Sequence, residues 1–326
     1  MFTRPSQGGG LSNVQPELVA DQQSRVEQLL ELLASRGGIY GDSPMSCREA
    51  HPREFEQLGE RLCEWAEKTL GEEYLEAMVD GYCRFVGEVN LSQARYQRRG
   101  RYRHSSFAEV YTAVYDNPDF MGDYHWGVFT TTFAWEHHLK LHGLFEREFI
   151  SRASKAQAKR LLDLGSGSGV WSFLSATSLP GVETLGVDIS ETSATASAEM
   201  AQAIGLSNRC RFTRGDALVN RDEGLFDAGV SCFLLEHLEE PRALMEALAS
   251  QLKPGAPAFV TGALTASEAD HIFEFRRESE LLRLAEEAGF RVIVSMSLGP
   301  EGYPERARFL PRSMAMVLEK RRGEWW

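Results

Sequence analysis

Hydrophobic positions in the first half of the chain recur every three to four residues, which is the spacing of an amphipathic helix. One such face, near the start of the pattern, collects Val19, Val26, Leu29, Leu30 and Leu33. We therefore predict an all-helical N-terminal domain over residues 16–151, whose last long element is an aromatic-rich helix from His125 to Phe149. Residues 1–15 are rich in Gly, Ser and Gln, and we expect them to be disordered.

The hydrophobic pattern changes after residue 151. Seven short apolar runs, from RLLDLG to RSMAMVLEK, now alternate with helical segments. Strands separated by helices indicate βαβ units and a mainly parallel sheet. For residues 152–326 we predict an α/β fold with a Rossmann-like, doubly wound, seven-stranded sheet. Because these strands carry most of the β-branched runs, we expect this segment to retain a core of its own.

Composition narrows the choice of partners and compartment. The 326 residues carry a formal net charge of -12, which argues against nucleic acid as the main partner because phosphate binding needs a basic surface. No apolar run is long enough to cross a membrane, and the N-terminus lacks a secretory signal. Five scattered cysteines without a C-x-x-C pair predict reduced thiols in a cytoplasmic protein. The N-terminal helices could also form a homodimer.

A glycine-rich turn follows the first predicted strand, in the stretch LLDLGSGSGVWSF. Gly165, Gly167 and Gly169 alternate there, although glycine is the residue most costly to order. Such a turn lets a ligand approach the backbone, and the helix that follows offers free N–H groups to ligand oxygens. The spacing is G-x-G-x-G rather than the G-x-G-x-x-G of dinucleotide sites, which disfavours a nicotinamide-dependent oxidoreductase.

With the preceding Asp163, this turn resembles the first motif of the class I S-adenosylmethionine-dependent methyltransferases, D-x-G-x-G-x-G. LGVDIS, RGDAL and the stretch from FDAGVSCFLLEHL to LKPG resemble the later motifs, in the same order. The resemblance covers roughly residues 155–320 and implies S-adenosylmethionine as the cofactor. The cofactor-binding residues that it implies are Asp163, Gly165, Ser166, Gly167, Gly169, Trp171, Asp188, Ile189, Asp216, Ala217 and Cys232.

The resemblance also assigns roles within that set. Asp188 lies 23 positions beyond Gly165, about where an acid accepts the two ribose hydroxyls in such folds. Asp216 would bind the adenine amino group, and Asp163 would face the amino end of the methionine moiety. Trp171 could stabilise the sulfonium cation, although it could equally belong to a helix core.

The methyl acceptor is expected to be a small molecule. The loops typical of nucleobase methylation, N/D-P-P-Y/F and Pro-Cys, are absent after the fourth predicted strand. The LLEH sequence found there resembles small-molecule enzymes, including those of secondary metabolism. Oxygen is the expected acceptor atom, while sulfur, nitrogen or a non-catalytic cofactor-binding module stay open. The helical half would then act as a lid that excludes water from the transfer.

His271, His125 and Tyr124 are the candidate catalytic residues. His271 follows the fifth predicted strand, at the expected mouth of the site, and is the first candidate for a general base. His237 is structural as easily as functional. His138 and His142 share a helical face with Glu146, but the apolar neighbours of this row favour packing, so no metal is expected.

Overall fold

The computed structural model describes residues 23–111, 114, 118–300, 302–304 and 306–323, with the backbone alone for 118–124. The predicted disordered segment, residues 1–15, lies outside the described residues. Helices dominate up to residue 155. They are α1 (Arg25–Arg36), α2 (Asp42–Ala50), α3 (Pro52–Leu70), α4 (Tyr74–Arg99), α5 (Phe107–Val110), α6 (Pro118–Ala134), α7 (Glu136–Leu144) and α8 (Ser151–Lys155), with a π-helical turn at Phe145–Ile150.

The helices follow the apolar periodicity of the sequence. In α1, the side chain of Ser24 caps the N-terminus by accepting a hydrogen bond from the backbone N–H of Glu27, which satisfies one of the free donors of the first turn. The face of α1 that the pattern predicts is buried, at Val26, Leu29, Leu30 and Leu33. The buried stripe places this helix against α3 and α4.

The expected single helix from His125 to Phe149 is wrong at Trp135. This residue has an extended backbone (φ −102°, ψ 123°), so that α6 ends at Ala134 and α7 begins at Glu136. Three consecutive threonines precede the break, Thr130–Thr132, and their hydroxyls donate to backbone carbonyls one turn earlier. Such bonds weaken and bend a helix, and three β-branched side chains add to that effect.

The C-terminal half forms one seven-stranded sheet with the order β3-β2-β1-β4-β5-β7-β6. The strands are parallel except β7, which is antiparallel to β5 and β6. This confirms the predicted Rossmann-like sheet behind a helical region. The strands are β1 (Arg160–Leu164), β2 (Glu183–Asp188), β3 (Cys210–Arg214), β4 (Ala228–Ser231), β5 (Pro257–Leu264), β6 (Phe290–Leu298) and β7 (Arg312–Lys320); the intervening helices are α9 (Val170–Ser178), α10 (Glu191–Ala203), α11 (Pro241–Gln251) and α12 (Glu278–Glu287).

Each face of the sheet has its own hydrophobic core. On one face α11 and α12 cover the strands. On the other face the N-terminal helices, α9 and the strands share one continuous core. Trp65 of α3 packs edge-on against Phe173 of α9 at 5.8 Å, and Phe145 packs against Phe259 of β5 at 5.2 Å. The predicted domain boundary, after residue 151, falls at the start of α8 and within this shared core.

Candidate active site

The glycine turn lies at the carboxyl end of β1, next to the point where strand order reverses between β1 and β4. Gly165, Gly167 and Gly169 have φ values of 73°, 49° and 72°. A Cβ on Gly165 would lie 2.6 Å from Leu234, whereas a Cβ on Gly167 would meet nothing within 4 Å. Packing therefore requires the first glycine, and the second faces open space in which a ligand can lie against the backbone.

Asp188, at the end of β2, holds the glycine turn in place. Its carboxylate accepts hydrogen bonds from the backbone N–H of Gly167 at 2.8 Å and of Ser190 at 2.9 Å. Burial raises the pKa of Asp188, and these two N–H groups partly offset that effect. The carboxylate also lines the cavity beside Ile189, so it can accept hydrogen bonds from a ligand.

The other predicted cofactor contacts at the strand ends line the same cavity. Asp216 is exposed after β3, and its carboxylate accepts the backbone N–H of Leu218 at 2.8 Å, with Ala217 beside it. Cys232 is buried after β4. Burial raises the pKa of its thiol well above the ordinary value, so that Cys232 is a neutral thiol near pH 7.

Asp163 and Trp171, which the resemblance assigns to the cofactor, are both buried. Asp163 is 1% exposed beneath the turn, and the hydroxyl of Ser172 donates to its carboxylate at 2.7 Å. Burial raises the pKa of Asp163 to about 7, and the nearby Asp188 carboxylate adds to this. Trp171 packs edge-on against Phe145 at 5.1 Å and also lines the cavity, and its contact with the sulfonium stays a prediction.

A cavity of about 1050 Å³ extends from this cradle to the N-terminal helices. Its far wall comes from α2, α4, α6 and α7 and includes Tyr82, Phe85, His125, Trp135 and His138. The sheet edge and the helical layer therefore enclose one continuous space. A cofactor over Gly167 and a second molecule against the helices would share it.

The histidines on the helical wall are held neutral. His125 is 6% exposed, and burial lowers its pKa to about 4. The ring of His138 lies between Trp135, at 5.0 Å, and Phe233, at 4.8 Å, and burial lowers its pKa well below the ordinary value. These histidine side chains are thus uncharged near pH 7 and lie among aromatic rings of the wall. Tyr124 lies in α6, but its side chain is outside the described residues.

Acidic and imidazole side chains gather after β4 and β5, where we define the β4–β5 cluster as Glu236, His237, Glu268, Asp270 and His271. All five line the cavity. Nδ1 of His237 lies 3.3 Å from a carboxylate oxygen of Asp270, and the two histidine rings meet edge-on at 4.8 Å. Nδ1 of His271 lies 2.8 Å from the carbonyl oxygen of Ala266, and its Nε2 is 3.7 Å from Glu268.

The two histidines of the cluster differ in charge. Burial alone would lower the pKa of His237, but the carboxylates of Asp270, Glu236 and Glu268 raise it to about 10. Burial and the adjacent charge of His237 lower the pKa of His271 to about 3. His271 is therefore neutral and a weaker base than a free imidazole.

The sequence analysis singled out His271 but not the carboxylates around it. A signal was present, since Glu-His follows the fourth strand and Glu-x-Asp-His follows the fifth. The carboxyl ends of adjacent parallel strands meet at one sheet edge, so two such loops must lie close together. Phe233 and His138 carried no comparable signal, because their contact joins residues from distant parts of the chain.

Residues 162–258 match the sequence model of a family described as "Methyltransferase domain". The ribosomal protein L11 methyltransferase of Deinococcus radiodurans is 35% identical over 33% of this chain and 39% of that protein. A ubiquinone biosynthesis O-methyltransferase of Chromobacterium violaceum is 26% identical over 51% of this chain and 64% of that protein. The chain thus covers less than two thirds of either relative.

Solved structures show the same fold. Phospholethanolamine N-methyltransferase 2 of Haemonchus contortus, in complex with S-adenosylhomocysteine, has a TM-score of 0.53 and 16% identity over 67% of this chain and 61% of that chain. The family match runs from β1 to the start of β5 and includes the glycine turn and the carboxyl ends of β1 to β4. The family match, the fold and the glycine turn together support a class I S-adenosylmethionine-dependent methyltransferase domain in this chain.

Proposed function

We propose that this protein transfers the methyl group of S-adenosylmethionine to an oxygen atom of a small organic acceptor. The observation that carries the proposal is the single cavity of about 1050 Å³, which joins the cofactor cradle to the aromatic helical wall. Methyl transfer is an in-line displacement, so donor and acceptor must lie together in a space from which water is excluded. A cavity of this volume holds both molecules.

The cofactor has a defined place in this proposal. The ribose hydroxyls donate to Asp188, the adenine lies beside Asp216 and Ala217, and the amino-acid end of the methionine moiety follows the glycine turn at Gly167. Asp188 already holds that turn through two backbone N–H groups, so cradle and carboxylate are pre-organised. The sulfonium then lies toward the centre of the cavity, near Cys232 and Trp171.

The acceptor lies against the helices. Tyr82, Trp135, His138 and Phe233 supply flat, uncharged surfaces there, which suit a ring-bearing acceptor better than a charged one. We propose that His125 and His271, which line this part of the cavity, contact the acceptor. The ubiquinone biosynthesis O-methyltransferase among the relatives supports oxygen as the acceptor atom. Four further expectations from the sequence stay predictions: a role in secondary metabolism, a cytoplasmic location, a homodimer through the N-terminal helices, and no binding of nucleic acid.

The reaction balances without a redox partner. The acceptor hydroxyl gives up its proton to a basic group of the cavity wall, and an oxygen electron pair forms the new C–O bond. The C–S bond breaks, its electron pair stays on sulfur, and S-adenosylhomocysteine is the by-product. The buried walls keep water from competing for the methyl group.

The test measures binding and turnover separately. Calorimetry should give a 1:1 complex with S-adenosylhomocysteine and no complex with NAD. A panel of matched phenols, thiophenols and anilines is then incubated with S-adenosylmethionine, and S-adenosylhomocysteine release is followed. Turnover of the phenols is expected. Release of S-adenosylhomocysteine with thiophenols or anilines alone would show that the acceptor atom is sulfur or nitrogen and not oxygen. Absence of S-adenosylhomocysteine binding would overturn the proposal.

A further inference from the structure

We propose that Glu236, His237 and His271 bind a divalent metal ion, with Glu268 and Asp270 as further carboxylates at the same position. One ligand atom from each of Glu236, His237 and His271 lies within 4.8 Å of the others, and the same holds for Glu268, Asp270 and His271. The two groups share His271, so the five side chains adjoin one another through this residue. Two imidazoles and a carboxylate on one side leave positions open toward the cavity.

Glu236 is the side chain that points most directly to a ligand. It is 0% exposed, and neither of its carboxylate oxygens makes a hydrogen bond of normal geometry with any residue that the structure describes. The backbone N–H groups of Ala263 and of Glu236 itself lie near the carboxylate and only partly offset its burial. A buried carboxylate without a full set of partners is costly, and a bound cation removes that cost.

His271 is oriented as metal-binding histidines are. Its Nδ1 lies 2.8 Å from the carbonyl oxygen of Ala266, which can only accept, so Nδ1 carries the proton and donates. The lone pair is then on Nε2, the atom that faces Glu268 at 3.7 Å. A backbone carbonyl that fixes the tautomer in this way is the usual outer partner of a histidine ligand.

The charges of the cluster also favour a cation. Glu236, Glu268 and Asp270 bring three carboxyl groups into a buried wall, against two imidazoles. A divalent ion would displace the protons that these side chains hold and would compensate the charge of the carboxylates.

The donor set indicates the kind of metal. Imidazole nitrogen favours Zn²⁺, Fe²⁺ and Mn²⁺ over Mg²⁺ and Ca²⁺, which prefer oxygen ligands alone. From the sequence we expected no metal, and that expectation rested on His138 and His142, which lie elsewhere in the fold. In the cluster proposed here, the ligands come from the loops after β4 and β5 instead.

A metal here would act on the acceptor, and this part rests on the proposed function. An acceptor hydroxyl that binds the ion would lose its proton more readily, because a bound cation lowers the pKa of an oxygen ligand. The ion would then activate the hydroxyl at the wall of the cavity that His271 lines. Metal binding itself does not depend on this role.

The experiment measures metal binding by the full chain without cofactor or acceptor. After treatment with a chelator and dialysis, the protein is titrated with Zn²⁺, Mn²⁺, Mg²⁺ or Ca²⁺, and heat, bound metal and melting temperature are recorded. We expect one equivalent of Zn²⁺ or Mn²⁺, with an increase of several degrees in melting temperature. No binding of any of these ions at millimolar concentration would overturn the proposal.

Glu236→Gln distinguishes this site from surface histidines. The variant should lose at least about tenfold in metal affinity. Its metal-free form should melt no lower than the wild type, because a buried charge is removed without a change in shape. The matched control is Glu240→Gln, an exposed carboxylate four residues on, which should bind metal as the wild type does. Unchanged metal binding by Glu236→Gln would overturn the assignment.

The outcomes separate this inference from the proposed function. Stoichiometric metal binding without methylation of any hydroxyl acceptor would leave the site standing and overturn the function. Full turnover of a hydroxyl acceptor by chelator-treated protein that binds no metal would overturn the metal site and leave the proposed function standing.

Discussion

At the scale of single residues, the glycine turn combines two different requirements. Gly165 has no room for a side chain because Leu234 lies against it, while Gly167 faces the open cavity. Both have positive φ, so substitution strains the backbone at either position. Only at Gly167 would an added side chain also occupy the space of a ligand.

Gly167→Val should therefore abolish binding of S-adenosylhomocysteine while the protein stays folded. Gly181 provides a matched control, because its φ of 81° is equally strained and its Cβ would also meet nothing within 4 Å, but it lies away from the cavity. Calorimetry of both variants, with circular dichroism to check folding, tests this. Equal affinities of the two variants would contradict the placement of the cofactor.

Asp188→Ala should weaken S-adenosylhomocysteine binding by about 2 kcal/mol or more, roughly thirtyfold, because two ribose hydroxyls lose a charged acceptor. The variant also frees the Gly167 N–H, which loosens the cradle. Asp222→Ala, an exposed carboxylate outside the cavity, is the control and should bind normally. An affinity like that of the wild type would remove Asp188 from the site.

Because Asp163 is buried, we expect the free energy of unfolding of the cofactor-free protein to depend on pH. Its folded pKa is raised to about 7, whereas an unfolded aspartate titrates near 4. The folded state therefore binds the extra proton, and the stability that this gives is lost as pH rises through 7. Between pH 6 and 8 the free energy of unfolding should fall by about 1 kcal/mol from this group.

Asp163→Asn should lack that fall, since a neutral amide does not titrate. Urea denaturation of both proteins at pH 6 and pH 8 measures the difference and cancels the contributions of other groups. Parallel pH profiles for wild type and variant would mean that Asp163 is ionised in the folded protein.

At the scale of elements, the sequence predicted the strands and the glycine turn because short-range pattern determines both. The break at Trp135 was missed because helical apolar spacing continues through it, and three threonine hydroxyls decide the backbone there. To predict the β4–β5 cluster from the sequence, one would need to know which strands are neighbours in the sheet. The sheet order supplies this, since it places β5 next to β4 and brings their loops together.

The packing of α4 on α6 depends on Gly127. A Cβ there would lie 2.5 Å from the Cβ of Phe85 and 2.6 Å from the carbonyl oxygen of Gly81. Gly127→Ala should therefore destabilise the protein by roughly 1–3 kcal/mol, despite the better helix propensity of alanine. Gly87→Ala, on α4 with its nearest contact at 3.5 Å, should be neutral or slightly stabilising. Chemical denaturation of both variants tests this, and similar stabilities would contradict close α4–α6 packing.

At the scale of the whole molecule, residues 152–326 keep the core beneath α11 and α12 but share the core of the other sheet face with the N-terminal helices. The π-helical turn Phe145–Ile150 and α7 cover part of the sheet at β5 and β7. A fragment of residues 152–326 lacks that cover and exposes Phe259. We expect the fragment to be less stable than the full chain and to aggregate through the uncovered face.

A fragment of residues 136–326 is the matched comparison, since it keeps Phe145 and Phe149 over the sheet. It should give a steeper and later denaturation transition than the shorter fragment. If both fragments unfold cooperatively at the same denaturant concentration, the predicted boundary at residue 151 would gain support instead. Neither fragment should transfer methyl at the full rate, because α4 and α6 are missing from both.

The cavity draws its two halves from separate stretches of the chain. The cofactor cradle comes from the loops after β1 to β4, whereas the aromatic wall comes from α2, α4, α6 and α7. With the acceptor against the helices, as proposed, substitutions there should change acceptor choice while the use of S-adenosylmethionine is preserved. A library confined to codons 39–141 would therefore explore acceptor choice without loss of the methyl donor.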